Sequence, residues 1–251
     1  MRVAALYDIH GNLPALEAVL REIDNEKVDC LIIGGDVVAG PFPNETLALL
    51  HNITTPKHFI LGNAESDVLR VLARKDVNGL SERANEEARW VAGILTPTHA
   101  HLLSSWKETL SLDTDVWGNI LFCHGTPRSD AEIFTSLTPA EILVPVFESV
   151  AESTVICGHT HMQFDREIGA VHVINAGSVG MPFGRTGADW LLIDSEIKFK
   201  HTNYDIHSAA ERICNSEYPH AEDFVENYVL QAPSCDKMLE MLTRMEAEQT
   251  K

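Results

Sequence analysis

The stretch VAALYDIHGNLPALEAVLREID, residues 3–24, decides the fold. A continuous apolar run, VAALY (3–7), ends at Asp8 and His10 and turns through Gly11 and Asn12. It then enters a segment where Leu13, Leu16, Val19, Leu20 and Ile23 recur at helical spacing. Asn12 is placed to cap that helix, and Pro14 falls in its first turn. Four more short apolar runs follow: CLIIG (30–34), HFILG (58–62), NILFC (119–123) and TVICG (154–158). Runs without strict alternation suit strands covered on both faces, and strand–helix–strand succession predicts parallel pairing in an α/β fold.

Outside these runs the pattern changes character. A second helix is expected within 44–52, and the region 64–118 reads as largely helical. There SERANEEARWVAGIL has Ser81 as cap and Ala84, Ala88 and Val91 on one side, and TPTHAHLLSSW opens on Thr-Pro. After residue 170, AVHVINAGSVG and ADWLLIDSEIKFKH read as strands, the second a hairpin about Asp194-Ser195. From 204 to 251 the chain is acidic and helical, expected to pack on the main body, with a homodimer surface as a second reading.

Composition narrows the class. The 251 residues suit one large domain with an appendage. With 19 basic and 37 acidic residues the formal charge is −18, and no Lys/Arg cluster offsets it, so nucleic acid and anionic membrane surfaces are repelled. No apolar run has membrane-spanning length, and Asp8 and His10 interrupt the N-terminal run too early for a signal peptide. Five cysteines, none in a C-x-x-C arrangement, read as free thiols in the cytoplasm, with Cys30, Cys123 and Cys157 in the core. Trp90, Trp106, Trp117 and Trp190 read as core anchors, since no basic groove surrounds them.

The chemistry lies in what ends each run. The five runs close on Asp8-Ile9-His10, Gly34-Gly35-Asp36, Gly62-Asn63, His124-Gly125 and Gly158-His159-Thr160-His161. In a parallel sheet these loops emerge at one edge, where open α/β sheets bind ligands. Asp8, His10, Asp36, Asn63, His124, His159 and His161 should therefore converge. Such oxygen and imidazole donors make a metal inventory for Mn, Fe, Zn, Co or Ni. Seven side chains exceed the needs of one ion with an open position and suit two, with one carboxylate bridging; Asp36 fills that place because its loop lies between the others. His51, His58, His99, His101, His172, His201, His207 and His220 follow no such logic and read as structural or surface residues.

The series D-x-H, G-D, G-N, H-G and G-H-x-H, in that order over about residues 1–200, resembles the calcineurin-like metallophosphoesterase superfamily, in particular its longer bacterial phosphodiesterase-type members. The resemblance implies a four-layer α/β/β/α sandwich of two mixed sheets with additional helices. It divides the chain into a domain over 1–203, with a helical insertion about 64–118, and a C-terminal extension over 204–251. It implies that Asp8, His10 and His161 hold one ion, that Asp36 bridges, and that Asn63, His124 and His159 hold the other, with manganese the preferred ion for assay. Asp36, Asn63 and His124 would be catalytic, with Asn63 also meeting the substrate; apart from the resemblance, Arg185 and Arg128 follow site loops and are candidates to bind substrate phosphate, the alternative being surface residues or salt bridges to nearby acids. The activity implied is hydrolysis of a phosphodiester, phosphomonoester or nucleotide phosphoanhydride through metal-bound hydroxide. Ligating imidazoles must be neutral, so activity should fall in mild acid.

Two departures from the family pattern stand out. The segment INAGSVGMP has Ala176 where the family loop usually has proline. Many members also carry His or Asp directly after Gly-Asn, whereas GNAES places Ala64 there. Without a proton donor, the enzyme should favour leaving groups that are stable as anions. A non-catalytic scaffold on the same fold and a nuclease are the rival readings. The charge of −18 opposes the nuclease, so the partner expected is a small phosphorylated compound, nucleotides included.

Overall fold

The apolar runs are continuous because each strand feeds two cores at once. In β1 (Val3–Leu6), Val3 and Ala5 join one hydrophobic layer while Ala4 and Leu6 join another. In β5 (Gly118–Cys123), Ile120 and Phe122 enter the layer shared with β1, and Leu121 and Cys123 face a third. The computed structural model describes residues 1–75 and 81–249.

Two five-stranded sheets result among these residues. The first runs β10 (Ile197–Thr202), β9 (Ala188–Ile193), β1, β2 (Cys30–Ile33), β3 (Lys57–Phe59). The second runs β4 (Thr109–Thr114), β5, β6 (Thr154–Cys157), β8 (Val171–Asn175), β7 (Phe164–Ile168). Each has a parallel centre, β1–β2–β3 and β5–β6–β8, with antiparallel strands outside it. Helices α1 (Leu13–Glu26), α2 (Pro43–Asn52), α3 (Asn63–Leu72), α4 (Glu82–Ile94) and α5 (Pro97–Leu103) cover the first sheet, and α6 (Ala140–Phe147) covers the second. The layers are α/β/β/α, as the resemblance implied.

The five apolar runs do not share one sheet. Three belong to the first and two to the second, and the parallel centres still bring their carboxyl ends to one rim. The helical character expected over 64–118 ends at Leu103, because Thr109–Thr114 forms edge strand β4. Residues 76–80 of that region lie outside the described residues. The expected caps form: Asn12 Oδ1 accepts from Ala15 N (3.2 Å), Ser81 from Ala84 N (3.2 Å) and Thr96 from His99 N (3.1 Å). Cys30, Cys123 and Cys157 are buried free thiols.

The C-terminal segment packs on the body. Helices α7 (Ile206–Cys214) and α8 (Ala221–Phe224) bury Ile213 and Phe224 against Phe42, Trp90 and Met181. Helix α9 (Cys235–Gln249) ties to residues 131–138, where Gln249 Nε2 donates to the Ala131 carbonyl (2.8 Å). No described helix is long and apolar enough to cross a membrane.

Tyr7 joins the sheets directly beneath the loops that end them. It is fully buried, and its hydroxyl donates to the Ile156 carbonyl (3.0 Å). Tyr7→Phe is expected to cost about 1–2 kcal/mol, the price of a buried acceptor left without its donor. Urea unfolding would register this as a lower midpoint at unchanged slope; an unmoved midpoint would mean the hydroxyl contributes nothing.

Candidate metal centre

The five loops meet where the two sheets' carboxyl edges face each other. Asp8 N donates to Gly35 O (3.1 Å), His10 N to Asp36 O (2.8 Å) and Gly158 N to His124 O (2.9 Å), so the loops support one another. The turns are tight enough to need unusual backbone. Asp8, His10, Asp36, His159 and His161 all have φ between 48° and 67°. Among the described residues only Lys27 and Arg74 share that left-handed region without being glycine. Such conformations cost on the order of 1 kcal/mol or more each, and they concentrate where strain serves a site. Gly62 and Gly158 bring backbone against the two carboxylates: a Cβ on Gly62 would lie 2.2 Å from Asp36 Oδ1, and one on Gly158 2.4 Å from Asp8 Oδ2.

Two donor groups form. The ligand atoms of Asp8, His10 and His161 lie within 4.8 Å of one another, as do those of Asp36, His124 and His159. Asp36 presents Oδ1 at 3.4 Å from His124 Nε2 and Oδ2 at 3.8 Å from His10 Nε2, one oxygen to each group. Asp8 Oδ1 lies 3.3 Å from His161 Nε2 and 3.8 Å from His124 Nε2. Asn63, in the first turn of α3, leaves Oδ1 buried with no hydrogen-bond partner among the described residues.

These residues fit divalent cations, and the tautomers show why. His10 Nδ1 faces the Ala39 carbonyl (3.0 Å), His161 Nδ1 the Met181 carbonyl (3.1 Å) and His124 Nδ1 the Gly34 carbonyl (2.8 Å). A carbonyl only accepts, so each Nδ1 carries a hydrogen, and each ring, when neutral, turns a bare Nε2 inward. His10 Nε2 and His161 Nε2 then meet lone pair to lone pair at 3.1 Å. Asp8 Oδ1, His124 Nε2 and His159 Nε2 are likewise buried without hydrogen-bond partners. Buried acceptors crowded together in this way call for a shared cation.

Without an ion the carboxylates draw a proton onto His124, and a bound cation would take that proton's place at Nε2. Burial opposes charge on Asp36, yet His124, His10 and His159 hold its carboxyl well below the usual range. Burial likewise disfavours the charged His124, but Asp36 and Asp8 overcome it and push the imidazole up to about 10. Burial and then the neighbouring His124 push His159 down to about 4. Burial and then the neighbouring His161 hold His10 below its ordinary value, against the opposing charges of Asp36 and Asp8.

One residue of the site has no part in the sequence reading. Glu65 is fully buried and accepts from the backbone N–H groups of Asp36 (2.8 Å), Val37 (2.7 Å), Val38 (3.1 Å) and Gly62 (3.0 Å). The GNAES spacing carried the signal, a Glu at the third helical position reaching back to the capping residue. At position 64 the structure has a methyl side chain, and the Ala64 N–H donates to Asp36 Oδ1 (2.9 Å). The loop after β8 lies against the Asp8 turn: Gly180 N donates to Asp8 O (2.9 Å) and Ser178 Oγ to the same carbonyl (2.8 Å). Ala176 N donates to Cys157 O (2.8 Å), a bond that proline could not make.

The two arginines are placed differently. Arg128 is exposed and forks onto the half-buried Glu132, and it lines a cavity of about 230 Å³ with Ser66 and Thr126. Arg185 is paired with Asp189 (2.9 Å) and lines a separate cavity that begins next to His161.

Comparison with known proteins extends this geometry. The family model described as the calcineurin-like phosphoesterase superfamily domain matches residues 1–197. An uncharacterized protein of Methanocaldococcus jannaschii is 26% identical over 238 residues, covering 86% of this chain and 93% of its own. The phosphodiesterase YfcE of Escherichia coli is 23% identical over 206 residues, covering 78% of this chain and 89% of its own. In the crystal structure of a hypothetical protein from Pyrococcus horikoshii the same fold recurs, with a TM-score of 0.77 at 20% identity, covering 92% of this chain and 99% of that one.

Proposed function

Because the chain belongs to the calcineurin-like phosphoesterase superfamily, and is thereby a metal-dependent phosphoester hydrolase, we propose that two divalent ions act together in it on a small phosphodiester. One observation carries the reading: two donor groups stand side by side, with Asp36 offering one oxygen to each. Asp8, His10 and His161 would hold one ion, and Asn63, His124 and His159 the other. The relative YfcE, a phosphodiesterase, supports the diester. The acidic surface and free thiols support a small cytoplasmic substrate over nucleic acid.

Paired divalent ions supply Lewis acidity, neutralising phosphoryl charge and lowering the pKa of a coordinated water to about 7. The protein's own part is orientation. Backbone carbonyls hold the rings of His10, His124 and His161 through Nδ1, so their Nε2 atoms point at the centre, His124 giving up its second proton as an ion binds. Strained Asp8, His10, Asp36, His159 and His161 hold the donors in register. The test is metal analysis of the purified chain with hydrolysis of bis-p-nitrophenyl phosphate under added Mn. Two ions per chain and turnover support the reading. No turnover with any divalent ion would favour the scaffold, to which Ala64 lends weight.

Ala64 also shapes the substrate range. General acid help is worth about 10²–10⁴-fold, and no side chain at position 64 can give it. Rates across aryl and alkyl esters are therefore expected to rise steeply as the leaving group becomes less basic. A shallow dependence would point to a proton donor elsewhere in the site.

A further inference from the structure

We propose that the cavity beside His161 receives a neutral aromatic arm of the substrate, with Phe183 as its stacking wall and Arg185 as the donor to that arm's acceptor edge. This rests on the phosphoesterase reading and names the class of ester the site takes. The cavity holds about 480 Å³, within the range of small-molecule sites.

Position comes first. The Phe183 ring packs on His161 with centroids 5.1 Å apart and planes tilted by 36°. Phe183 also lines the cavity, together with Met162, the residue after His161. Phe183 thus stands between one ligand group and the cavity, so the arm of an ester with its phosphorus at the centre passes the Phe183 ring to enter it.

The lining chooses the class of arm. Phe183, Phe164, Met162 and Leu239 are apolar, and Arg185 and Asp189 are its charged members. Arg185 Nη2 bonds Asp189 Oδ1 at 2.9 Å, so the charges offset each other, and a second phosphate would meet a carboxylate as well as the guanidinium. A neutral ring suits apolar walls and a π face, as aromatic pairs prefer offset or tilted contact.

The polar edge is built in advance. Buried Asp189 is held by His201 Nδ1 (2.7 Å) as well as by Arg185. The Gln163 amide nitrogen donates to the carbonyls of Ala176 (3.2 Å), Trp190 (3.2 Å) and Lys200 (3.3 Å), which sets its Oε1 3.5 Å from Arg185 Nη2. Arg185 Nε and Nη1 have no hydrogen-bond partner among the described residues. They can donate to a nitro, carbonyl or ring nitrogen acceptor on the arm. Leu239 comes from α9, beyond residues 1–197 of the family match, so the C-terminal helix contributes to substrate choice.

The experiment uses the full chain loaded with Mn and two non-hydrolysable probes, phenylphosphonate and methylphosphonate, with affinities read by calorimetry. Wild type is expected to prefer the phenyl probe by roughly fivefold to tenfold. Phe183→Ala and, separately, Leu239→Ser should bring that ratio towards one while methylphosphonate affinity stays within about twofold. Equal affinities in wild type, a ratio unchanged in both variants, or no binding of phenylphosphonate would overturn the proposal. The ratio needs no turnover. An inactive protein that still prefers the phenyl probe would keep the pocket and remove the hydrolase reading, and an active one without the preference would do the reverse.

Discussion

Asp36→Asn is expected to lower kcat on bis-p-nitrophenyl phosphate by at least about 10³-fold and to reduce the metal content from two ions per chain to one. The geometry makes this the most damaging isosteric change in the site. Asp36 Oδ1 and Oδ2 each reach a different donor group, at 3.4 Å from His124 Nε2 and 3.8 Å from His10 Nε2. An amide keeps one acceptor oxygen and turns the other position into a donor, which repels a cation. The fold should survive. The Ala64 N–H that now bonds Oδ1 keeps an acceptor, and a buried charge is removed. Without Asp36, His124 also loses the larger of the two charges that push it up to about 10. Circular dichroism should match wild type while metal analysis and turnover do not. Retention of both ions with a rate within tenfold of wild type would show that Asp36 does not bridge. Arg128→Ala, whose partner is Glu132 on the surface, serves as the comparison and should change little.

The sequence revealed the site more fully than the sheets around it. Five of the ten described strands coincide with apolar runs: β1, β2, β5 and β6 are central and face a core on each side, as Val155 and Ile156 of β6 enter different layers, while β3, an edge, was marked by Phe59 and the Ile60 and Leu61 that follow it. The strands that went unread, β4 as TLSLDT and β7 as FDREI, are the two edges of the second sheet. An edge strand needs only half of its residues apolar, and Leu110 and Leu112 are enough to hold β4. The donors were legible because loops that close buried strands had no other reason to carry Asp and His. Their left-handed backbone was not, since Asp and His are enriched in that region but most residues of either type lie outside it, so residue type alone does not announce φ near +50°. The partition of the runs between two sheets was also hidden, because both parallel centres obey the same local rules.

Glu65→Ala is expected to destabilise the chain by about 3–5 kcal/mol and to weaken its hold on divalent ions by roughly 10–100-fold. The carboxylate accepts from four backbone N–H groups in two loops: Asp36, Val37 and Val38 in one, and Gly62 in the other. Those loops carry Asp36 and Asn63, so Glu65 sets the separation between the Asp36 carboxylate and the Asn63 amide. Burial and the Asp36 charge push the Glu65 carboxyl up to about 7, while the donors from Gly62, Val38 and Val37 pull it down. A group so costly to bury is retained where its hydrogen bonds are worth more than an apolar filling. Truncation leaves four buried donors without an acceptor, and each such loss costs about 1–3 kcal/mol before relaxation. Glu65→Gln tests the charge apart from the volume, because its amide nitrogen would face N–H groups that can only donate. It should fall between wild type and Glu65→Ala in both urea midpoint and chelator competition. Arg70→Ala, one turn further along α3 and more than half exposed, should leave both unchanged. If Glu65→Ala lost stability but bound Mn as tightly as wild type, Glu65 would be a core residue only. If the midpoint also held, the bracket across the two loops would carry no energy, and the placement of Asp36 would have to come from its left-handed turn alone.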